Sequence, residues 1–309
     1  SDSTKAYPGG GHRHEVDRRE ACYTFSHAAG YGMLYQLTGE SRYADLGRQC
    51  FEKAWEGQRD RDSRYSWVEP GGALRAGPTL GWYALGYDLC YDGWDEGFRR
   101  KVARAIQDYD QGKQKSMPEL VRGARFMPGS NHWGMQVGGG AMALLAIVGD
   151  PGTDSEKLQK LLPVSRNSMI RNLTEGFGPR GWFAEGDGTG VMSSHIVFLP
   201  ALQAWEVSRG WDFASPRPNA RWTVLKFVMQ TIPRDGRPDF PKRGAYKHNV
   251  WSRQGMSGAG TFISGFDILN DDEKPALMWL YNRVSRELDN QAGGPFETLP
   301  GYADVLRAL

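Results

Sequence analysis

Cysteine is scarce: 309 residues hold only Cys22, Cys50 and Cys90. An odd, small number gives no disulfide framework. All three lie in apolar helical patterns, where a thiol acts as a small buried hydrophobe. Long hydrophobic runs are absent, and none approaches the roughly 18–20 residues of a membrane span. Charge of one sign is also lacking, since 38 Lys and Arg face 36 Asp and Glu, for a net +2. A nucleic-acid binder would show a strong basic excess. Any attraction for an acidic ligand must therefore be local.

What the chain does have is glycine and tryptophan, 40 and 11 residues respectively. The glycines are neither periodic nor gathered in a low-complexity tract. Indole faces stack on sugar rings and the ring N–H bonds hydroxyls, although several of the eleven must serve ordinary core packing. A chain of this length buries enough surface to need no disulfide or metal staple.

One helical hairpin recurs. VDRREACYTFSHAAGYGMLYQLTG closes at Gly39, a glycine suited to the residue after a helix. ESRYADLGRQCFEKAWEG follows as a second helix. The same order returns with turns near positions 93, 150, 210 and 270, a spacing of roughly 54–60 residues, or two helices and two connections. The first helix of each pair is small, Gly-rich and apolar; the second carries charge on one face, as an outer helix does. This pattern predicts an all-α fold with little or no β. Its architecture is an (α/α) toroid or incomplete barrel of about six to seven hairpins, in one catalytic domain over 1–309. An open α-solenoid is the alternative.

Each pair has a short turn at one end and a long link at the other. The long links fall near 57–78, 116–133, 176–192 and 232–258 and hold nearly all the unusual chemistry. In a toroid they emerge on one face, so their side chains share a rim on a rigid scaffold. Trp67, Arg75, Arg122, Arg125, Trp133 and Trp182 are expected there.

Three constellations stand out. In SNHWGMQVGGGAMALL, Asn131 and His132 precede a Gly-rich inner helix. Ser130 or Asn131 could be a simple N-cap. An Asn also donates hydrogen bonds without titrating, which suits the stabilisation of a developing carbanion. The run Gly138–Gly140 permits close backbone approach. In GPRGWFAEGDGTGVMSSHIVFLPALQAW, Trp182, Glu185, Asp187 and His195 sit on a Gly-rich link entering an inner helix. The positive helix end favours a neutral His195, as a general base requires; a core histidine bonded to a carbonyl is the plain alternative. EGDGTG lacks the ligand count of an EF-hand. In PDFPKRGAYKHNVWSRQGMSG, Tyr246, His248 and Trp251 alternate with Lys242, Arg243, Lys247 and Arg253. Aromatics among cations suit an anionic sugar chain, and nearby cations would lower the Tyr246 pKa toward proton donation or relay. His12, His14 and Glu15 resemble a metal cluster only superficially, and neither metal nor cofactor is expected.

The segments SNHWGMQVGGGAMALLAIVGD and GWFAEGDGTGVMSSH resemble the paired signatures of toroidal polysaccharide lyases: the hyaluronate and chondroitin lyases, the heparinase II/III-like group and the alginate or glucuronan lyases. The resemblance spans about 125–265. It implies that Asn131 neutralises a uronate carboxylate and that His195 is the base. In the chondroitin-type pattern a Tyr follows the His on the same helix, but HIVFLPALQAW holds none, so Tyr246 is assigned that role. The larger families add a β-sandwich for which this chain has only short strand-like pieces such as GTFISGF. A toroid-only polyuronate lyase is the expectation. Asn131, His132, His195 and Tyr246 would be catalytic. Trp67, Arg125, Trp133, Trp182, Glu185, Arg243, His248 and Arg253 would bind substrate. The partner would be an acidic polysaccharide rather than nucleic acid or membrane, and the location secreted or periplasmic, with any signal peptide removed from SDSTKAYPGG.

Two rivals come from other classes. An (α/α)-barrel hydrolase would use Glu185 and Asp187 as its carboxylates, but such pairs usually come from separate segments. A non-catalytic sugar-binding protein would use the Trp-rich rim alone.

Overall fold

The computed structural model describes residues 25–60, 64–186, 196–234, 236–239, 268–280 and 282. These residues are mostly helical, in agreement with the all-α expectation. The first hairpin comprises α1 (Phe25–Thr38) and α2 (Ser41–Trp55). It is followed by α3 (Ala73–Cys90) and α4 (Glu96–Gln107), then by a short α5 (Met117–Arg122). Next come α6 (Asn131–Ile147) and α7 (Ser155–Arg171), then α8 (Phe198–Arg209) and α9 (Asn219–Met229). A two-stranded antiparallel hairpin, β1 (Ile232–Arg234) and β2 (Arg237–Asp239), pairs Ile232 with Asp239. The last described helix is α10 (Lys274–Leu280). Among the described residues no helix is long and apolar enough to cross a membrane.

The alternation of inner and outer helices follows from composition. In α3 and α6 buried residues occupy nearly the whole circumference, whereas α4 buries only the stripe Phe98, Val102, Ala103 and Ile106. Helix α2 likewise buries one face through Ala44, Gly47, Cys50, Phe51 and Ala54. The inner helices α1, α3, α6 and α8 are neighbours in that order. Gly86 of α3 abuts Ala28 of α1, and Leu89 abuts Gly32, so these two helices run the same way. Gly77 and Gly81 of α3 meet Met135 and Gly139 of α6 in the same sense.

The Gly138–Gly140 run serves packing, with each residue facing a different neighbour. A Cβ on Gly138 would lie 2.8 Å from the Phe198 backbone of α8, one on Gly139 only 1.9 Å from the Gly77 carbonyl of α3, and one on Gly140 2.6 Å from Val121 N of α5. The close approach foreseen for these glycines is therefore helix against helix. Three helices crowd α6 because this stretch has no side chains to hold them off.

The short turns fall near the positions read from the sequence. Gly39 and Gly210 end their helices in the left-handed region, at φ 71° and 62°, and Gly149 follows α6 at φ 98°. The first helix expected before position 270 lies outside the described residues. At this end the Trp94 indole N–H bonds the Ala44 carbonyl at 2.7 Å. The Tyr87 hydroxyl donates to Asp150 at 2.5 Å, tying α3 to the α6–α7 turn. Cys50 and Cys90 are buried, and burial pushes the Cys90 thiol up to about 12.

Candidate functional site

Among the described residues the first three long links precede α3, α6 and α8, so they gather at one end of these helices. They touch in sequence. Glu69 N–H of the first link donates at 3.2 Å to the side chain of Gln111, in the α4–α5 connection that runs into the second link. Between the second and third links, Gly129 packs on Ala184 and Gly176 on the Pro128 carbonyl. Each contact fixes one connection against the next, which gives side chains on these links a defined position.

At the centre is the first turn of α6. Ser130 is its N-cap, with the hydroxyl accepting from His132 N–H at 3.4 Å. Asn131 is then the first helical residue, and only 6% of its surface is exposed. Its backbone N–H donates to Glu185 Oε2 at 3.0 Å, a contact spanning 54 positions of sequence. A carboxylate at a helix N-terminus meets both an unpaired N–H and the positive end of the helix dipole.

His132 is half-buried. Its ring stacks on Phe126 with centroids 4.1 Å apart and planes 19° apart. The Arg125 guanidinium lies 5.9 Å from the Phe126 centroid, making a cation–aromatic–imidazole layer. Arg125 holds this place with φ 77°, an unusual conformation for a residue bearing a Cβ. His132 is held below its ordinary pKa, chiefly by burial; Arg75 pushes it lower while Glu185 pushes the other way. The ring is therefore neutral near pH 7, with one N–H donor and one acceptor. His132 Nδ1 is enclosed without a hydrogen-bond partner.

One turn further along α6, Gln136 is fully buried, and both polar atoms of its side chain are enclosed without a partner. Its Cα packs against Gly77 of α3. Arg75, two residues earlier on α3, is 4% exposed. Arg75 Nη1 donates to the Tyr65 hydroxyl at 3.1 Å, and the guanidinium carbon lies 4.9 Å from the centroid of that ring.

Other residues expected at the rim fare differently. Trp182 is 53% exposed, on a turn closed by the Phe177–Phe183 bridge. Two tryptophans belong to the core instead. Trp67 is buried, edge-on to Phe51, Tyr83 and Tyr109 with centroids 6.3, 5.4 and 5.2 Å away. Trp133 is buried against Gly123, donates its indole N–H to the Ser168 carbonyl at 3.0 Å, and lies under Arg171. Such large apolar surfaces gain more from the interior than from a rim. His195, Tyr246, Arg243, His248 and Arg253 lie outside the described residues, as do Asp187, Lys242, Lys247, Trp251, His12, His14 and Glu15. Among the described residues, no three His, Cys, Asp or Glu side chains are grouped to hold a metal.

Sequence reasoning overlooked Gln136 and the packing of Phe126 on His132. The signal for Gln136 was an amide in a helix, Asn131–Ile147, that is otherwise apolar beyond its first two residues. Phe126 carried no such mark.

No protein-family model matches this sequence, and no curated protein matches it.

Proposed function

We propose that this protein is a polysaccharide lyase that cleaves an acidic polyuronate, of the alginate/polymannuronate or glucuronan class, by β-elimination on an (α/α) toroid. The observation that carries the reading is Asn131 beside a neutral His132 at the N-terminus of an inner helix. In β-elimination a base takes the C5 proton of the uronate. The electron pair forms the C4–C5 double bond, the C4–O4 bond breaks, and an acid protonates the departing O4. The difficult species is the carbanion, and uncharged donors aimed at the adjacent carboxylate stabilise it where charge develops. Asn131 and His132 suit that task, since both donate without adding a titrating cation. His195 is the proposed base, and Tyr246 the proposed proton donor to O4. Where the C5 proton and O4 share a face, as in mannuronate and glucuronate, Tyr246 could serve both steps; guluronate would need two residues.

The inner row α1, α3, α6 and α8 supports the toroid as an arc of it. The hydrolase reading has less behind it, because the Glu185 carboxylate is already engaged by Asn131 N–H.

The test is ultraviolet absorbance of the unsaturated uronate after mixing the protein with alginate, glucuronan, hyaluronan, chondroitin and heparin. A rise with one polymer establishes elimination and names the substrate. New reducing ends without that absorbance would mean hydrolysis and overturn the proposal. Neither signal with the two favoured polymers would overturn the polyuronate reading.

A further inference from the structure

We propose that Arg75 is the residue that reads the acid group of the sugar, its guanidinium fork receiving the substrate carboxylate beside His132. This inference rests on the polyuronate reading and names the specificity-determining cation within it.

A buried guanidinium is costly unless it is paired. Burial of Arg75 is nearly complete, yet no carboxylate among the described residues lies within ion-pair distance of it. The Tyr65 hydroxyl takes one of its five N–H donors and the Tyr65 ring supports the cation. Nε and Nη2 bond no described residue, and neither is among the sealed polar atoms. Arginine matches a carboxylate in two parallel bonds, a geometry that lysine cannot reproduce. The structure thus fixes a cation by its stem and by one ring, and leaves its fork for an anion.

A second observation points the same way. Gln136 is an enclosed amide with neither polar atom partnered, and it shares a face of α6 with His132 four residues earlier. Arg75 is close enough to His132 to depress its protonation. A cation and a neutral imidazole therefore lie near each other where α3 and α6 begin, with an uncommitted amide one turn further along α6. Their combined chemistry fits a carboxylate that becomes more negative during reaction. Arg75 would supply the charge selectivity that the uncharged Asn131 cannot.

The experiment uses ligands that offer no bond for elimination: the monosaccharides mannuronate and glucuronate, against their neutral counterparts mannose and glucose. Binding is followed by NMR titration of the full chain. The wild type is expected to bind the acids more tightly than the neutral sugars. Arg75→Gln should bind the acids roughly 30-fold more weakly and leave the neutral sugars unchanged. Arg75→Lys, which keeps charge and stem, serves if the glutamine variant does not fold, and should lose about tenfold for the acids alone. Tyr65→Phe removes the partner and spares the fork, so its acid affinity should stay within about threefold of wild type. Equal acid binding by wild type and Arg75→Gln overturns the inference, as does a wild type without preference for the acids. Either result leaves the elimination assay to judge the lyase reading separately.

Discussion

The Glu185 carboxylate accepts the backbone N–H of Asn131 at 3.0 Å, and it acts on the neighbouring His132 ring through space. One side chain thus anchors the third link to the start of α6 and sets part of the site's electrostatics. Arg75 opposes it at the same ring, depressing the His132 pKa where Glu185 raises it.

Removing Glu185 should therefore have two separable effects. Glu185→Ala loses the carboxylate at a helix N-terminus and should lower stability by about 1 kcal/mol, measured by thermal unfolding. Glu185→Gln should move the His132 NMR titration further below the ordinary histidine value, because a raising influence is gone. Arg75→Gln should move it upward. A His132 midpoint identical in all three proteins would show that these groups are not coupled.

His27 supplies a separate pH dependence, within the scaffold. It is 2% exposed on α1, and burial lowers its pKa to about 3. Its folded pKa lies below the unfolded value of about 6.5, so the unfolded chain binds more protons between the two. Stability from this group is fully present above about pH 6.5 and is lost as pH falls toward about 3, with a slope approaching 1.4 kcal/mol per pH unit. Urea unfolding of wild type at pH 7, 6, 5 and 4 should show that loss, and His27→Gln should flatten it. Parallel curves for the two proteins would count against this assignment.

The helical repeat was legible because it is local: a glycine at 39 or 210 ends a helix by its own backbone freedom, and a one-sided charge pattern marks α4 as outer. The site was legible only in part. Asn131 and His132 stood out by residue type at a helix start. The Glu185 partnership did not, since it joins positions 54 apart and nothing in either segment encodes the other. Trp67 and Trp133 show the opposite problem. Residue type suggested sugar stacking, but burial is decided by neighbours such as Phe51 and Gly123, which only the folded chain brings together.

Gly139 tests the inner packing. Alanine there would place its Cβ 1.9 Å from the Gly77 carbonyl, and both partners are backbone, so no side chain can swing aside. Gly139→Ala should cost about 3 kcal/mol or more. Gly97→Ala on the exposed face of α4 meets only Asp95 Oδ1 at 3.1 Å and should change stability by less than about 1 kcal/mol in either direction. Denaturant midpoints for the two variants make the comparison. A Gly139→Ala protein as stable as wild type would mean that α3 and α6 stand further apart.

Trp182 and Trp67 should respond oppositely to truncation. Trp182 is 53% exposed, so its loss removes little core contact and, if it is a sugar platform, mainly weakens polymer binding. Trp182→Ala should leave unfolding within about 1 kcal/mol of wild type and raise KM for the polymer several-fold. Trp67 is wedged among Phe51, Trp55, Tyr83 and Tyr109, where deletion leaves a cavity that surrounding rings fill poorly. Trp67→Ala should cost about 3–5 kcal/mol, with any loss of activity following the loss of folded protein. Unfolding curves and KM measured on the same preparations separate the two roles. On the proposed lyase reading, a Trp182→Ala protein with unchanged KM would remove this residue from the binding face, and a fully stable Trp67→Ala protein with impaired binding would return Trp67 to it.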